Sequence, residues 1–508
     1  MDIQKKEITL NLPGPCVTAS AIVDSDAIVN DSKPDLLKII SVDATSRVTK
    51  CEILSGRMMI SGHIAYKVLY QPESGAGVCS IHTGADFSHM EENSGFSEGM
   101  YSDVSSRVEH VETELINSRK IKIKSVVTLD IKTENSCSML VPISAEGDNL
   151  RIKTGKISGY SRFLQKRDII SISDTLTIPS GKPAIGMILK SDISLCNKDV
   201  KVISGKVIVK GEFVVCTLYT PEAGEGVVCC NHSLPFTEIL DAEGVMEEHH
   251  CRVKTEIEEC DFSLATDSDG DVRIINASVR MGVRISADMP VEEKTVTDIY
   301  SLTDELDVTY KTVAVQTPVY RSDFDYAVKG SIRPGGHISS VYNIDAWPDV
   351  TSATLNNGKL QVEGYVDVCA LCLTQDNAEP IISCREEIPF KIEMAAEEVC
   401  GDAKPDCHIE TDSVTYDMGP AGEVNMRILL KCSAAISNNI NAEFIDRAEP
   451  VGLHESRTPS IVLYFVQSGD TLWDIAKRYH TKAEYISELN GDAAEKLVPG
   501  SQLLIPRG

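Results

Sequence analysis

The chain repeats itself, and the length of the repeat fixes what it can be. Ser55-Gly56 recurs as Ser204-Gly205, an offset of 149 (204 − 55). The same offset carries Gly62 to Gly211, Leu69-Tyr70 to Leu218-Tyr219, Pro72-Glu73 to Pro221-Glu222, Gly75 to Gly224, Gly77-Val78 to Gly226-Val227 and Phe87 to Phe236. From Ser55 to Phe87 there are 11 identities in 33 positions, where chance would give about two, so the segment is duplicated. A more diverged third copy follows: Gly364 answers Gly211, Pro389-Phe390 answers Pro235-Phe236, and Cys407-x-Ile409-x-Thr411 answers Cys251-x-Val253-x-Thr255. A period near 150 residues is too long for a solenoid unit and fits tandem complete domains. The 508-residue length leaves room for three of them and a small tail.

Periodicity within each copy says what it folds into. Two and four residues beyond the shared glycine stand Ile64 and Tyr66, then Phe213 and Val215, then Val366 and Val368. Residues two apart on a strand share a face, so these point to a core. Near the end of each copy come Ile121-x-Ile123-x-Ser125-x-Val127-x-Leu129, Val279-x-Met281-x-Val283-x-Ile285 and Val424-x-Met426-x-Ile428-x-Leu430. This alternation predicts antiparallel sheet with one wet face. Turn signals at Pro72-Glu73-Ser74-Gly75 and Asp269-Gly270 separate the runs, so β-sandwich or barrel-like packing is expected. Asp267-Ser268-Asp269-Gly270-Asp271 departs from calcium-loop spacing and reads as a hairpin turn.

Sixteen cysteines with no export signal at Met1-Asp2-Ile3-Gln4-Lys5-Lys6-Glu7 predict reduced, structural thiols in a cytosolic protein. Cys369 and Cys372 form a CxxC inside a strand-like run, where positions three apart face opposite sides. His249-His250-Cys251 lacks a second ligand pair at metal-site spacing, so no metal or cofactor is expected. The formal charge of −27 disfavours nucleic acid and anionic lipid as partners. No stretch approaches the length of a transmembrane span. GxSxG, P-loop and HExxH patterns are absent, so no enzymatic activity is expected.

The chain changes character after the third copy. Arg447-Ala448-Glu449-Pro450 through Arg457-Thr458-Pro459-Ser460 is polar and proline-marked and reads as a linker. Beyond it, Leu472, Ile475, Ala476 and Tyr479 lie on one helical face, with Asp470 or Thr471 as cap. A second helix is expected from Thr481, with a capping box to Glu484, burying Ile486 and Leu489 and ending at Asn490-Gly491. Leu497-Val498-Pro499-Gly500-Ser501-Gln502-Leu503-Leu504-Ile505-Pro506 returns as a strand. The order is β-α-α-β. Acidic and basic side chains nearly balance from Tyr464 onward, so the surplus negative charge lies on the repeats.

Val466-x-x-Gly469-Asp470-Thr471-Leu472-x-x-Ile475-Ala476, then Tyr479, Ile486, Asn490 and Pro499-Gly500-x-x-Leu503-x-Ile505-Pro506, resemble the LysM family. The resemblance implies binding of N-acetylglucosamine polymers such as peptidoglycan through two loops. The candidate residues are Gly469, Asp470, Thr471, Leu472 and Trp473 in the first, and Asn490, Leu497, Val498, Pro499 and Gly500 in the second. Trp473 stands about 100° round the helix from Leu472, off the apolar stripe, where an indole can stack on a sugar or anchor a protein partner.

Repeats with Gly62-x7-Tyr70 and Gly211-x7-Tyr219, followed by one LysM module, resemble the SPOCS-domain spore-coat morphogenetic proteins of clostridia. The third copy has Cys372 in place of the tyrosine. That resemblance implies a coat-assembly adaptor made in the mother-cell cytoplasm and placed at the forespore surface, its LysM module binding the ATPase of the coat's basement layer. The alternatives are a peptidoglycan-binding protein or a wall-active hydrolase targeted by LysM. The expected organisation is mainly β: repeat domains over 1–145, 146–297 and 298–445, a linker over 446–462, and the module over 463–508.

Overall fold

Strict alternation, written three times, makes the same six strands three times. The computed structural model describes residues 2–506 apart from 74–76, 148, 224–225, 357, 377–378, 397–402, 454–460, 492–493 and 495. The first repeat runs β1 (Asp2–Ile28), β2 (Leu36–Leu54), β3 (Arg57–Pro72), β4 (Cys79–Glu92), β5 (Tyr101–Asn117) and β6 (Lys120–Glu146). The second runs β7 (Leu150–Thr177), β8 (Ile185–Ile203), β9 (Lys206–Pro221), β10 (Val228–Asp241), β11 (His250–Thr266) and β12 (Val272–Ser301). The third runs β13 (Asp304–Ile332), β14 (Ile338–Asn356), β15 (Lys359–Thr374), β16 (Ile381–Ala395), β17 (Lys404–Met418) and β18 (Val424–Leu453). The C-terminal module is β19 (Ile461–Phe465), α1 (Leu472–Arg478), α2 (Ala483–Asn490) and β20 (Gln502–Pro506).

Each repeat is a sandwich of two antiparallel three-stranded sheets. In the first the orders are β1-β6-β5 and β2-β3-β4, and the other two copy it as β7-β12-β11 with β8-β9-β10 and β13-β18-β17 with β14-β15-β16. The residues on the expected inner faces fill the cores: Ile64, Tyr66, Ile121, Ile123 and Val127 in the first, with Phe213, Val215, Met281 and Val283, and Val366, Val368, Ile428 and Leu430, in the others. The shared glycine makes room for the shared phenylalanine. Gly62 pairs with Phe87, Gly211 with Phe236 and Gly364 with Phe390 across neighbouring strands. A Cβ on these glycines would lie 2.1, 2.9 and 2.8 Å from the respective rings. The ring therefore lies over bare backbone, which explains why both residues recur together.

The three sandwiches join around a pseudo-threefold centre. Offsets of 149 and 153 (364 − 211) superimpose Leu69, Leu218 and Leu371, and also Ile40, Leu189 and Tyr342; all six meet in one apolar cluster. The same offsets bring Asp43, Asp192 and Asp345 together. Lys190, only 2% exposed, lies between them, its Nζ 2.6 Å from Asp43 Oδ2 and 2.7 Å from Asp192 Oδ2. Lys67 Nζ lies 3.0 Å from Asp192 Oδ1, and Asn343 donates to Asp345 Oδ1 at 2.8 Å. Burial, and then the neighbouring Asp192 carboxylate, push Asp345 up to about 7. Burial also acts upward on Asp192, but Lys190 and Lys67 bring it below the usual carboxylate range.

The first and last strands of each repeat outrun their sandwich as two-stranded ribbons, pairing Asp2 with Glu146, Leu150 with Ser301, and Asp304 with Leu453 at their ends. The ribbons pack on one another through Ile8, Leu10 and Val141 of the first, Ile157 of the second, and Val315 and Phe444 of the third. Val296, Ile299, Ile445 and Ala448 continue this stem toward its tip. The first part of the expected linker is strand instead. Arg447-Ala448-Glu449-Pro450 belongs to β18, paired with Thr309, Val308, Asp307 and Leu306, and Ala448 is buried. Proline is tolerated because β18 is at the edge of a ribbon there and the register shifts beside it. The rest of the expected linker, 454–460, lies outside the described residues, as do Ser74, Gly75 and Gly224 of the expected turns.

Cys372 points into the third core while Cys369 faces Ser383 on the other side of β15, and the 15 described cysteines are free. His249 stacks on Phe163 with centroids 4.6 Å apart, and His250 meets Tyr160 edge-on. Asp267-Ser268-Asp269-Gly270-Asp271 forms the β11–β12 turn, Gly270 at φ +90° and the amides of Asp269 and Asp271 donating to Asp267 Oδ1.

Candidate binding site

The C-terminal module builds its two loops side by side. Val466 donates its amide to Ser501 and accepts from Gly500, so the loop after β19 is tied to the one before β20. Gly469 and Gly500 adopt φ of +91° and +87°, which a side chain would oppose. Asp470 braces the first loop, accepting from the Gln467 amide at 2.8 Å and the Tyr464 hydroxyl at 2.6 Å; the Tyr464 hydroxyl and then the Gln467 amide hold its carboxyl below the usual range. Thr471 caps α1 in a capping box with Asp474. Leu472 packs on the module core beside Ile475 and Ala476. Asn490 pins α2 to β20: its amide nitrogen donates to the Ile486 and Leu504 carbonyls, and its oxygen accepts from the Leu504 amide. Leu497 is half-buried, and Val498 and Pro499 are exposed at the loop tip.

The start of α2 and the placement of Leu489 differ from expectation. Thr481 makes no capping box; Lys482 is the N-cap, without a side-chain bond. Thr481 is instead drawn inward, its amide donating to Ala476 and its carbonyl accepting from Tyr300. His480, at φ +48°, turns the chain there. Leu489 is 45% exposed, since the short helix presents a narrow buried stripe centred on Ile486.

Trp473 is half-buried against the second repeat. Its indole N–H donates to Asp298 Oδ2 at 2.7 Å, and its ring meets Tyr300 edge-on with centroids 4.9 Å apart. Lys477 Nζ lies 2.6 Å from Asp298 Oδ1, which also accepts from the Tyr310 hydroxyl at 2.7 Å. His480 Nδ1 lies 2.8 Å from the Ser301 carbonyl, and Tyr300 and Leu302 join the module core. Burial acts upward on Asp298, but the bonds from Lys477, Trp473 and Tyr310 hold its carboxyl below the usual range. Sequence patterns place Trp473 off the apolar stripe; its partners, far away in sequence at the tip of β12, carry no local signal.

With this geometry in place, comparison with known families decides the architecture. Residues 35–116 and 184–265 match the SipL SPOCS domain, and residues 464–506 match the LysM domain. The chain carries SPOCS and LysM domains. No curated protein and no solved structure matches it. Each SPOCS match runs from the β2 or β8 region into β5 or β11, and the outer strands of the repeat complete the sandwich around it. The third repeat has the same strand order without a match to the SPOCS domain. The SPOCS and LysM families are families of binding domains, the first sporulation-related and the second associated with cell-wall polysaccharide. Among the described residues no helix is long and apolar enough to cross a membrane.

One open face of the LysM module is apolar. Ile461, Leu463 and Phe465 alternate along the outer face of β19, and Leu504 stands opposite Leu463 on β20; all four are between 40% and 53% exposed. Their inward neighbours Val462 and Tyr464 pack on the module core with Leu503 and Ile505.

Proposed function

We propose that this protein is a non-enzymatic adaptor of spore-coat assembly, made in the mother-cell cytoplasm and acting at the forespore surface, and that its LysM module binds a protein, the ATPase of the coat's basement layer. The observation that carries the protein-binding reading is the open LysM face of Ile461, Leu463, Phe465 and Leu504. A face of three aliphatic side chains and one phenylalanine supplies burial to a protein partner and few hydrogen bonds to a hydroxyl-rich glycan. Gly469 to Trp473 in the first loop, with Asn490 and Leu497 to Gly500 in the second, remain the proposed contacts in a peptidoglycan reading. The SPOCS repeats form the acidic body that carries the module.

Purified full-length protein tests this against two immobilised targets at matched salt, the ATPase and peptidoglycan. Retention on the ATPase, weakened by Phe465→Ser by about 2 kcal/mol or roughly thirtyfold, as for a central interface anchor, supports the adaptor. Retention on peptidoglycan alone, unaffected by that substitution, overturns it.

A further inference from the structure

We infer that the contact between Asp298 and the Trp473–Lys477 side of α1 is a latch that governs which class of ligand the LysM module admits. Closed, it withholds the indole from a sugar polymer while leaving the apolar sheet face free. The exclusion of glycan goes beyond the protein-binding reading and stands without it, whereas the choice between ligand classes rests on that reading.

The contact is built from several groups that satisfy one another. Asp298 receives four donors, from Trp473, Lys477, Tyr310 and the Ile299 backbone amide. Tyr300, 3% exposed, contributes its ring to Trp473 and its hydroxyl to the Thr481 carbonyl. A charged carboxylate bound by an ammonium and three neutral donors makes strong hydrogen bonds in a half-buried setting. Its demands also shape the module, because the Tyr300 bond coincides with the inward turn of Thr481 that delays α2.

The occlusion follows from the same atoms. An indole stacks on a sugar ring through its face and steadies it through its N–H. In Trp473 the N–H is already taken by Asp298, and the Tyr300 ring stands against the indole. A glycan that uses Trp473 must displace both. The sheet face of Ile461, Leu463, Phe465 and Leu504 takes no part in the contact, so a protein bound there leaves the latch closed. The two ligand classes thus differ in whether they compete with the SPOCS body. Such competition is a coupling between sites and lowers glycan affinity by the free energy of closure.

The chain has two tryptophans, Trp347 and Trp473, so the full-length Trp347→Phe protein reports on Trp473 alone. In that background Asp298→Ala, and the shape-preserving Asp298→Asn, are compared by acrylamide quenching of Trp473 emission and by calorimetric titration with tetra-N-acetylchitotetraose. The expected result is stronger quenching in both variants and a gain in affinity for the tetramer of about tenfold in Asp298→Ala, within the usual range of coupling between linked sites. Unchanged quenching in both variants overturns the latch. Stronger quenching with unchanged or absent tetramer binding overturns its role in ligand choice. Loss of ATPase retention in the preceding experiment would leave these outcomes where they stand, so the two readings fail separately.

Discussion

The centre of the SPOCS body and the tip of its stem both bury aspartate, and they treat it in opposite ways. At the centre, three carboxylates, Asp43, Asp192 and Asp345, share two lysines, Lys190 and Lys67. At the tip, one carboxylate, Asp298, has four donors to itself, three from side chains and one from the Ile299 amide. Burial, and then acid in surplus, raise Asp345 to about 7; at Asp298 donors in surplus outweigh burial and hold the carboxyl below its usual range. The difference shows that burial alone does not set the charge of an aspartate here. The ratio of carboxylates to donors does.

The sharpest way to break the comparison is to remove the cation on which the centre depends. Lys190→Met leaves Asp43 without its ammonium partner and Asp192 with Lys67 alone in a buried setting. Breaking a buried ion pair from one side costs about 3–5 kcal/mol, and chemical denaturation of the full chain should show a loss of that order. A loss below about 1 kcal/mol would mean that water or a shared proton neutralises the cluster without Lys190, and the centre would then resemble an ordinary exposed pair.

The pH dependence should have opposite signs at the two places. Below about pH 4 Asp345 is protonated whether folded or not. Between about 4 and about 7 the unfolded chain releases this proton and the folded chain keeps it. Stability contributed by Asp345 therefore falls as pH rises through that window, at no more than about 1.4 kcal/mol per pH unit, and levels off above it. Asp298 is lowered instead, so its contribution is fully present above the ordinary carboxylate value near 3.8 and is lost as pH falls below it. Asp345→Asn should flatten the neutral slope in denaturation midpoints measured from pH 4 to 8. An unchanged slope would place the shared proton elsewhere.

Much of the body was legible because its signals are local or repeat. Alternation placed Ile121, Ile123 and Val127 inward, and the recurring pair of glycine and phenylalanine turned out to be one cross-strand contact. The cap of α1 is legible for the same reason as one of two neighbours, Thr471, whereas Asp470 braces the loop before it. The centre and tip were not. Asp43, Asp192 and Asp345 occupy equivalent positions, but only the association of three sandwiches makes them neighbours. Asp298 meets Trp473 from 175 positions away. β18 extends through a proline-marked stretch because the ribbon's partner β13 and the stem core hold it, overriding local propensity. Leu489 was misplaced because helical spacing gives neighbours on a face without saying how wide the buried face is.

The smallest expected effect tests whether the carboxylate or its ring of donors organises the tip. Tyr310→Phe removes one donor from Asp298 and a hydroxyl 3.2 Å from Lys477 Nζ, while Trp473 and Lys477 keep their own bonds to the carboxylate. One hydrogen bond among four should loosen docking by about 0.5–1.5 kcal/mol, read as a rise in Trp473 quenching smaller than that in Asp298→Ala. Because Asp298 keeps three donors, including the cationic one, its carboxyl should remain ionised at neutral pH. A quenching change as large as that of Asp298→Ala would make the tyrosine the organising group and the carboxylate a follower, and the contrast with the centre would then rest on geometry instead of on the balance of acids and donors.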